Sequence, residues 1–488
     1  MTEIAVLKKG PSFGARHVQT LLLFLAIAIS FCERLNVSVS LVAMTNANST
    51  NIEFREFDWD EKQRSYILSS FYWGYVLTQL PAGYLAQRIG VKLMMFLSVL
   101  CCSICTFIIP FCVNWGGWQI YCFIRIIQGL SQGFLFPLVH AHLATWAPTE
   151  EITRLGGLSH TGVEFGIIFA MGLSGFIAGS SLGWPGNFYV FGLIGVLFCL
   201  IWMILAENSP SRSKSINLEE KDYILRSQSK ASDSQTARIP VPWRKILTSI
   251  PFLSLTFMAM CGLWGVATMQ AYIPPYMHGI LKMNIKKNAL FSTLPFVAML
   301  ICALIFCWLA DLLLMNRLVT LGVIRKGANT ISMWIPAAIF LAIGYLDENQ
   351  STLALILIIL NVGINAGHTV GGLLNIIDLS PNHAGVLMGI LNAVCNLVPI
   401  VAPLVNGRIL SDETNRSQWQ IVFLITATIF FVGNLQFLFF GSTDVQIWND
   451  EDYLKKQDTE RGNKADIQKT IDDDQRERKE CYVNRSYE

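Results

Sequence analysis

Arg34 and Arg125 each sit well inside a stretch of chain apolar enough to cross a lipid bilayer. A guanidinium keeps its charge at any physiological pH, and even the mildest scale assigns about 2.5–3.5 kcal/mol to one at mid-bilayer. Such a side chain persists where it faces protein or a water-filled cavity, and two of them make a cavity that attracts anions. The planar donor fork suits phosphate and carboxylate equally, so residue type does not separate these ligands. Arg125, Gln128 and Gln132 stand at i, i+3 and i+7, one face of a helix, and that face lines something polar. The competing reading is that each arginine pairs with an acid to pin two helices. Glu33 neighbours Arg34 but points about 100° away around a helix of 3.6 residues per turn. No acid accompanies Arg125 in the outer half of its own stretch.

Other polar residues lie at membrane depth. Glu164, between Gly162 and Gly166, is read as taking up proton or cation coupling, against the alternative of a helix contact to His160 one turn earlier. Asn361, Asn365 and His368 run along one face beside Gly363, Gly367 and Gly371. Glycines four apart favour close helix packing, though the polar row could line a cavity. His140 and His142 read as interfacial.

The elements that must position these groups follow from the lengths of the apolar runs. A bilayer asks about 20 residues of a helix, and such runs fall near 18–44, 64–86, 92–113, 118–142, 155–180 and 187–206. After a charged, Ser-rich break they resume near 251–278, 288–314, 326–346, 350–376, 383–406 and 418–440. The expected organisation is an N-terminal tail (1–17), a six-helix half (18–206), a central loop (207–250), a second six-helix half (251–440) and a disordered tail (441–488). Asn217–Arg226 reads as a surface helix within the central loop. The first apolar run continues to about Met44 with no small-residue cleavage site, which marks an uncleaved span rather than a signal peptide. Lys and Arg concentrate in the N-terminal tail, the 2–3 loop, the central loop and the 8–9 loop (Arg317, Arg325, Lys326), so both termini are expected in the cytosol. The sequons at Asn48 and Asn415 then face outward or into a lumen and are candidate glycosylation sites. At a rise of about 1.5 Å per residue, Arg34 lies roughly ten residues and Arg125 about seven from the outer ends of their spans, at similar depth.

Composition excludes several function classes. Of 488 residues, 53% are hydrophobic and 14% charged, too apolar for a soluble globule, where charged residues run to about 25%. A net charge of +2 gives no reason to expect a nucleic-acid partner. Of the 12 cysteines all but Cys481 fall in apolar stretches, where cysteine behaves as a small hydrophobe, so neither a disulfide framework nor a metal site is read. No Gly-rich phosphate loop, no G-x-S-x-G elbow and no other catalytic constellation is visible, so no enzyme and no cofactor are expected beyond a coupling ion, Na⁺ or H⁺.

An internal echo relates the halves. Gly83-Tyr84-Leu85-Ala86-Gln87-Arg88-Ile89-Gly90-Val91-Lys92 follows span two, and Cys307-Trp308-Leu309-Ala310-Asp311-Leu312 stands at the end of span eight. The first resembles the loop signature G-x-x-x-D-R-x-G-x-[RK] of the major facilitator superfamily, with Gln87 where an acid is commoner. Gly83, Gln87, Arg88, Gly90 and Lys92 are accordingly read as its gating loop. Arg125-Ile126-Ile127-Gln128-Gly129-Leu130-Ser131-Gln132-Gly133, Pro137, Trp146-Ala147-Pro148, Glu150 and Arg154 together resemble the R-x-x-Q-G-x-x-E-G-x-x-x-P…W-x-P…E-x-x-R run of the sialin, vesicular glutamate and sodium–phosphate transporter family. Phe71-Tyr72-Trp73-Gly74-Tyr75, Gln79–Gly83, Val241–Leu247, Ala384–Ile390 and Asn392 extend the likeness over roughly 15–450.

The resemblance implies an all-α, twelve-span bundle of two halves around a midplane site, moving inorganic phosphate or organic carboxylates on a Na⁺ or H⁺ gradient or the membrane potential. Three departures qualify it. Gln132 stands where proton-coupled relatives carry glutamate, and an amide cannot exchange a proton. Leu68 stands where the glutamate transporters have histidine, and Gly262 where they have arginine. Vesicular glutamate transport is thereby disfavoured. The resulting expectation is a monomeric plasma-membrane symporter of a small anion, with a lysosomal or vesicular membrane as the alternative. Arg34, Arg125, Gln128, Tyr75 and Asn365 would contact the anion, and Glu164 and Gln132 would sit at the coupling site. A transporter-derived sensor or interaction protein is the competing function.

Overall fold

The computed structural model of the chain describes residues 11, 13–45, 54–59, 61–213, 216–229, 241–281, 294–346, 348–410 and 415–450. Among these, all regular structure is helical. Span one is Ala15–Thr45 and span two Glu61–Ile89. Spans three and four share the helical run Val91–Gln132, which doubles back at Gly117. There φ is 61°, a left-handed conformation that glycine adopts without steric cost. The hairpin is stitched by Ser98 Oγ donating to Ser131 O at 2.5 Å and Gln128 Nε2 to Thr106 Oγ1 at 2.8 Å. Span four ends as Leu135–Trp146. Span five is Ile152–His160 continued by Gly162–Ala178, and span six is Gly183–Leu205.

The second half repeats the plan. Its spans are seven (Ile250–Gly279), eight (Leu294–Met315), nine (Leu321–Ile343) and ten (Ser351–Asn365, a π turn Thr369–Leu373, Asn375–Leu379). Span eleven is Ala384–Cys395 with Val398–Ile409, and span twelve is Arg416–Phe440. The surface helix read in the central loop is Leu218–Ser229. Nine helical stretches among the described residues are long and apolar enough to cross a membrane. One of them, Val91–Trp146, holds both spans three and four. Leu197, Leu200, Ile201 and Ile204 of span six point out of the bundle, as a lipid-facing surface requires.

Span one packs on five and six, span two on the three–four hairpin, and span three on six. In the other half, span twelve packs on seven and nine, and span ten on eight and nine. Spans two and four meet eleven, and five meets eight, to join the halves. That junction lies toward the basic loops. A Cβ on Gly83 would run into the backbone of Gly385 and Val386. Arg154 reaches Asp311 at 3.6 Å, and Arg325 Nη1 donates to Thr153 Oγ1 at 3.1 Å. Arg16 clips the start of span one to Glu151 at 2.7 Å and to Glu220 of the surface helix at 2.9 Å.

Several expectations are corrected. Span nine starts at Leu321, so Arg325 is not a loop charge but a fully buried side chain paired with Asp378 at 2.7 Å. His140 and His142 are wholly buried rather than interfacial, with His142 Nε2 3.1 Å from Gln19 Oε1. The tail assigned as disordered from 441 is ordered as far as Asp450. Gln446 N donates to Leu379 O at 2.9 Å, and Trp448 is buried. The rest of that tail, the sequon at Asn48, and residues 230–240 of the central loop lie outside the described residues.

Candidate functional site

Glycine-mediated helix packing builds the site. Gly74 of span two and Gly129 of span four lie against each other's backbones, at Ile126 O and Phe71 O respectively, leaving no room for a Cβ on either. This contact carries Phe71, Tyr72 and Tyr75 to the two arginines. The guanidinium carbon of Arg34 stands 4.7 Å from the Phe71 ring centre, 4.8 Å from Tyr72, 5.1 Å from Tyr75 and 5.5 Å from Phe31. That of Arg125 stands 4.7 Å from the same Phe71 ring. Two cations thus share one aromatic ring, and each such contact is worth about 2 kcal/mol when desolvated.

Neither arginine pairs with a carboxylate among the described residues. Arg125 is 2% exposed; its Nη1 donates to Gln128 Oε1 at 3.2 Å, and its Nε has no partner. Arg34 is only half-buried, with the Tyr72 and Tyr75 hydroxyls beside it. Two adjacent positive charges, short of hydrogen-bond acceptors, form a receptor for an anion that would replace the water they lose. Tyr75 connects this receptor to the other half, because Asn392 Nδ2 of span eleven donates to its hydroxyl at 3.2 Å. Asn396 Nδ2 in turn donates to Asn392 O at 2.7 Å.

Arg34, Arg125, Gln128 and Tyr75 are therefore brought together, and Asn365 is not among them. Asn365 Nδ2 donates to Ser332 O at 3.2 Å, bracing spans nine and ten inside the second half. His368 Nδ1 lies 3.2 Å from Asn329 Oδ1 in the same packed layer. Gln132 and Glu164 share no partner. Gln132 Nε2 donates to Ser30 O at 2.8 Å and to Cys102 Sγ at 3.1 Å, between spans one, three and four. Glu164 is on the face of span five near Cys307 of span eight, with Oε2 unpartnered and His160 turned instead to Gly156 O at 2.8 Å.

The gating loop is held from the segment that follows span six. Gly90 has φ 97°, and Lys92 N donates to Asn208 Oδ1 at 2.9 Å. Arg88 lies over the Tyr84 ring at 4.6 Å, and Gln87 falls within the span-two helix. Asn415 caps span twelve by accepting from Ser417 N at 3.0 Å. Among the described residues eleven cysteines are free.

Sequence reasoning left three participants unassigned. Phe71 and Asn392 lie in motifs already quoted, but only their packing reveals a shared ring and a link between halves. Glu33, set aside as a partner for Arg34, is 1% exposed, and the groups beside its carboxyl are the Ser103 hydroxyl and the Cys102 thiol, with no cation paired to it among the described residues.

Residues 23–403 match the family model described as Major Facilitator Superfamily. The chain belongs to the major facilitator superfamily. It is 34% identical over 469 residues to a "Putative inorganic phosphate cotransporter" of Drosophila melanogaster, covering 91% of this chain and 88% of that one. Human sialin is 30% identical over 456 residues, covering 89% and 91%. Vesicular glutamate transporter 3 of Danio rerio is 31% identical over 445 residues, covering 89% and 74%. The fold is similar to that of the proton:xylose symporter XylE, with a TM-score of 0.65, 17% identity and coverage of 89% and 98%. It also resembles the E. coli fucose:proton symporter, with a TM-score of 0.61, 14% identity and coverage of 86% and 98%. This superfamily member is a multi-pass membrane transporter, related to phosphate cotransporters, sialin and vesicular glutamate transporters, and not an enzyme.

Proposed function

We propose that this transporter carries a small anion by alternating access, with inorganic phosphate the first candidate and an organic carboxylate the second. The observation that carries the reading is the pair of uncompensated arginines, Arg34 and Arg125, facing one Phe71 ring. An anion bound there cancels charge that no carboxylate among the described residues pairs with. The Tyr75–Asn392 bond offers a way for occupancy of the first half to bias its closure on the second. A relative named as a phosphate cotransporter supports phosphate over glutamate. So does the tight packing at Gly262, where a Cβ would meet the His368 ring at 3.0–3.3 Å.

The transporter works as a monomer at the plasma membrane, driven by Na⁺ or H⁺ through a carboxyl buried in the bundle. Glu164 is the carboxyl that the sequence puts forward. Equilibrium binding of radiolabelled phosphate to the purified protein tests the anion site. Saturable binding that disappears in both Arg34→Ala and Arg125→Ala is expected. Binding untouched by Arg125→Ala would remove span four from the site.

A further inference from the structure

Glu33 occupies a closed crevice between spans one, three and six. Ser103 Oγ beside it is committed to Val99 O at 2.8 Å. A Cβ on Gly195 of span six would stand 2.5 Å from Glu33 Oε1, so only glycine leaves the carboxyl its space. On the other side lies the Cys102 thiol, which meets the Gln132 amide at 3.1 Å. One thiol therefore separates Glu33 from the Gln132 amide.

The groups facing Glu33 are these. Span three supplies the thiols of Cys102 and Cys105, and span six that of Cys199. Cys32 and Arg34 flank it on its own helix, and Arg125 lies beyond Cys102. No basic side chain pairs with it among the described residues. A polar row continues from it along span one. Asn36, one turn on, is fully buried with both amide atoms unpartnered, and Ser40 accepts from Asn187 Nδ2 of span six at 2.9 Å. Residues 33, 36 and 40 stand at i, i+3 and i+7, so the row shares one face and leads away from the basic loops.

We propose that Glu33 is the group that takes up and releases the coupling proton. This rests on the anion-transport reading above. A proton adds to the Glu33 carboxylate from solution and later leaves the carboxylic acid; no other bond changes. The neutral acid rests in the buried crevice, where a carboxylate without a paired cation would be costly. Once ionised, Glu33 adds a negative charge near the anion site, with Arg125 just beyond Cys102, and so opposes the transported anion. Anion binding therefore favours the protonated state, and protonation favours anion binding by the same factor.

The test has one arm that needs no substrate. Infrared difference spectra of the purified full-length protein, titrated in pH, read the carbonyl stretch of protonated carboxylic acids. A titrating band that is lost in Glu33→Gln and kept in Glu164→Gln is expected. A band unchanged in Glu33→Gln overturns the proposal. In proteoliposomes, Glu33→Gln should keep phosphate exchange at equal pH on both sides and lose accumulation driven by an inward proton gradient. Accumulation equal to wild type also overturns it. Where Glu33→Gln folds poorly, the double variant Glu33→Gln/Gln132→Glu returns a carboxyl to the cluster and should recover accumulation; failure of a well-folded double variant counts against the proposal. A titrating Glu33 band in a wild-type protein that exchanges no phosphate would uphold the proton site and remove phosphate as the substrate.

Discussion

The seam between the halves can be forced open by one methyl group. Gly385 of span eleven faces span four, where a Cβ would stand 2.8 Å from Pro137 O and 3.1 Å from the Ala141 Cβ. A main-chain carbonyl inside a helix cannot swing away as a side-chain tip can, so Gly385→Ala is accommodated by parting the halves at the basic end. Overpacking of this kind costs about 1–3 kcal/mol. Borne only by the state closed at that end, this displaces the equilibrium toward the opposite state by roughly 5- to 150-fold. Spin labels at Ile89 and Val323, both exposed near the basic ends of spans two and nine, report the opening as a longer distance population in electron–electron resonance. Accessible native thiols would first be replaced. Gly172→Ala is the control, since a Cβ there meets nothing within 4 Å. An unchanged distance distribution in Gly385→Ala, or an equal change in Gly172→Ala, would show that the Gly385–Pro137 contact does not hold the halves together.

Other expectations follow from single contacts. Asp378→Ala strands Arg325, which is 0% exposed, and should lower stability by about 3–5 kcal/mol in a detergent thermal melt; Arg325→Met with Asp378→Leu should recover much of it. A single variant that melts like wild type would show that the pair is not the brace it resembles. Gly262→Arg drives a side chain into the His368 ring, so it should lower the melting temperature, with partial recovery on adding His368→Ala. Asn392→Ala removes the bond to Tyr75, a net loss of about 0.5–1.5 kcal/mol, and should slow phosphate exchange about 2- to 10-fold while leaving binding nearly intact. Equal losses in binding and exchange would place Asn392 in the anion site itself.

Depth along a helix was legible in the sequence because it depends on one coordinate, the rise per residue. That is why Arg34 and Arg125 could be placed at matching depth and do face one ring. The direction in which a side chain points depends on which helices are neighbours, and this resisted reading. The helical wheel separated Glu33 from Arg34, but could not show that span six closes over it at Gly195. Asn365 had the residue type and depth of a ligand contact, yet span nine takes up its amide. Arg325 looked like a loop charge because its partner, Asp378, lies 53 residues on. The interruptions at Gly133, Thr161, Thr369–Leu373 and Asn396 break spans that hydropathy alone draws as continuous.

The role proposed for the two arginines is to carry an anion across the membrane. Its most direct measurement is radiolabelled phosphate uptake into proteoliposomes, at clamped voltage, with inward Na⁺ and inward H⁺ gradients imposed separately. Uptake is expected to rise with one of the gradients and to vanish in Arg125→Ala. Uptake persisting in Arg125→Ala, or none in the wild-type protein under either gradient, would contradict it for phosphate.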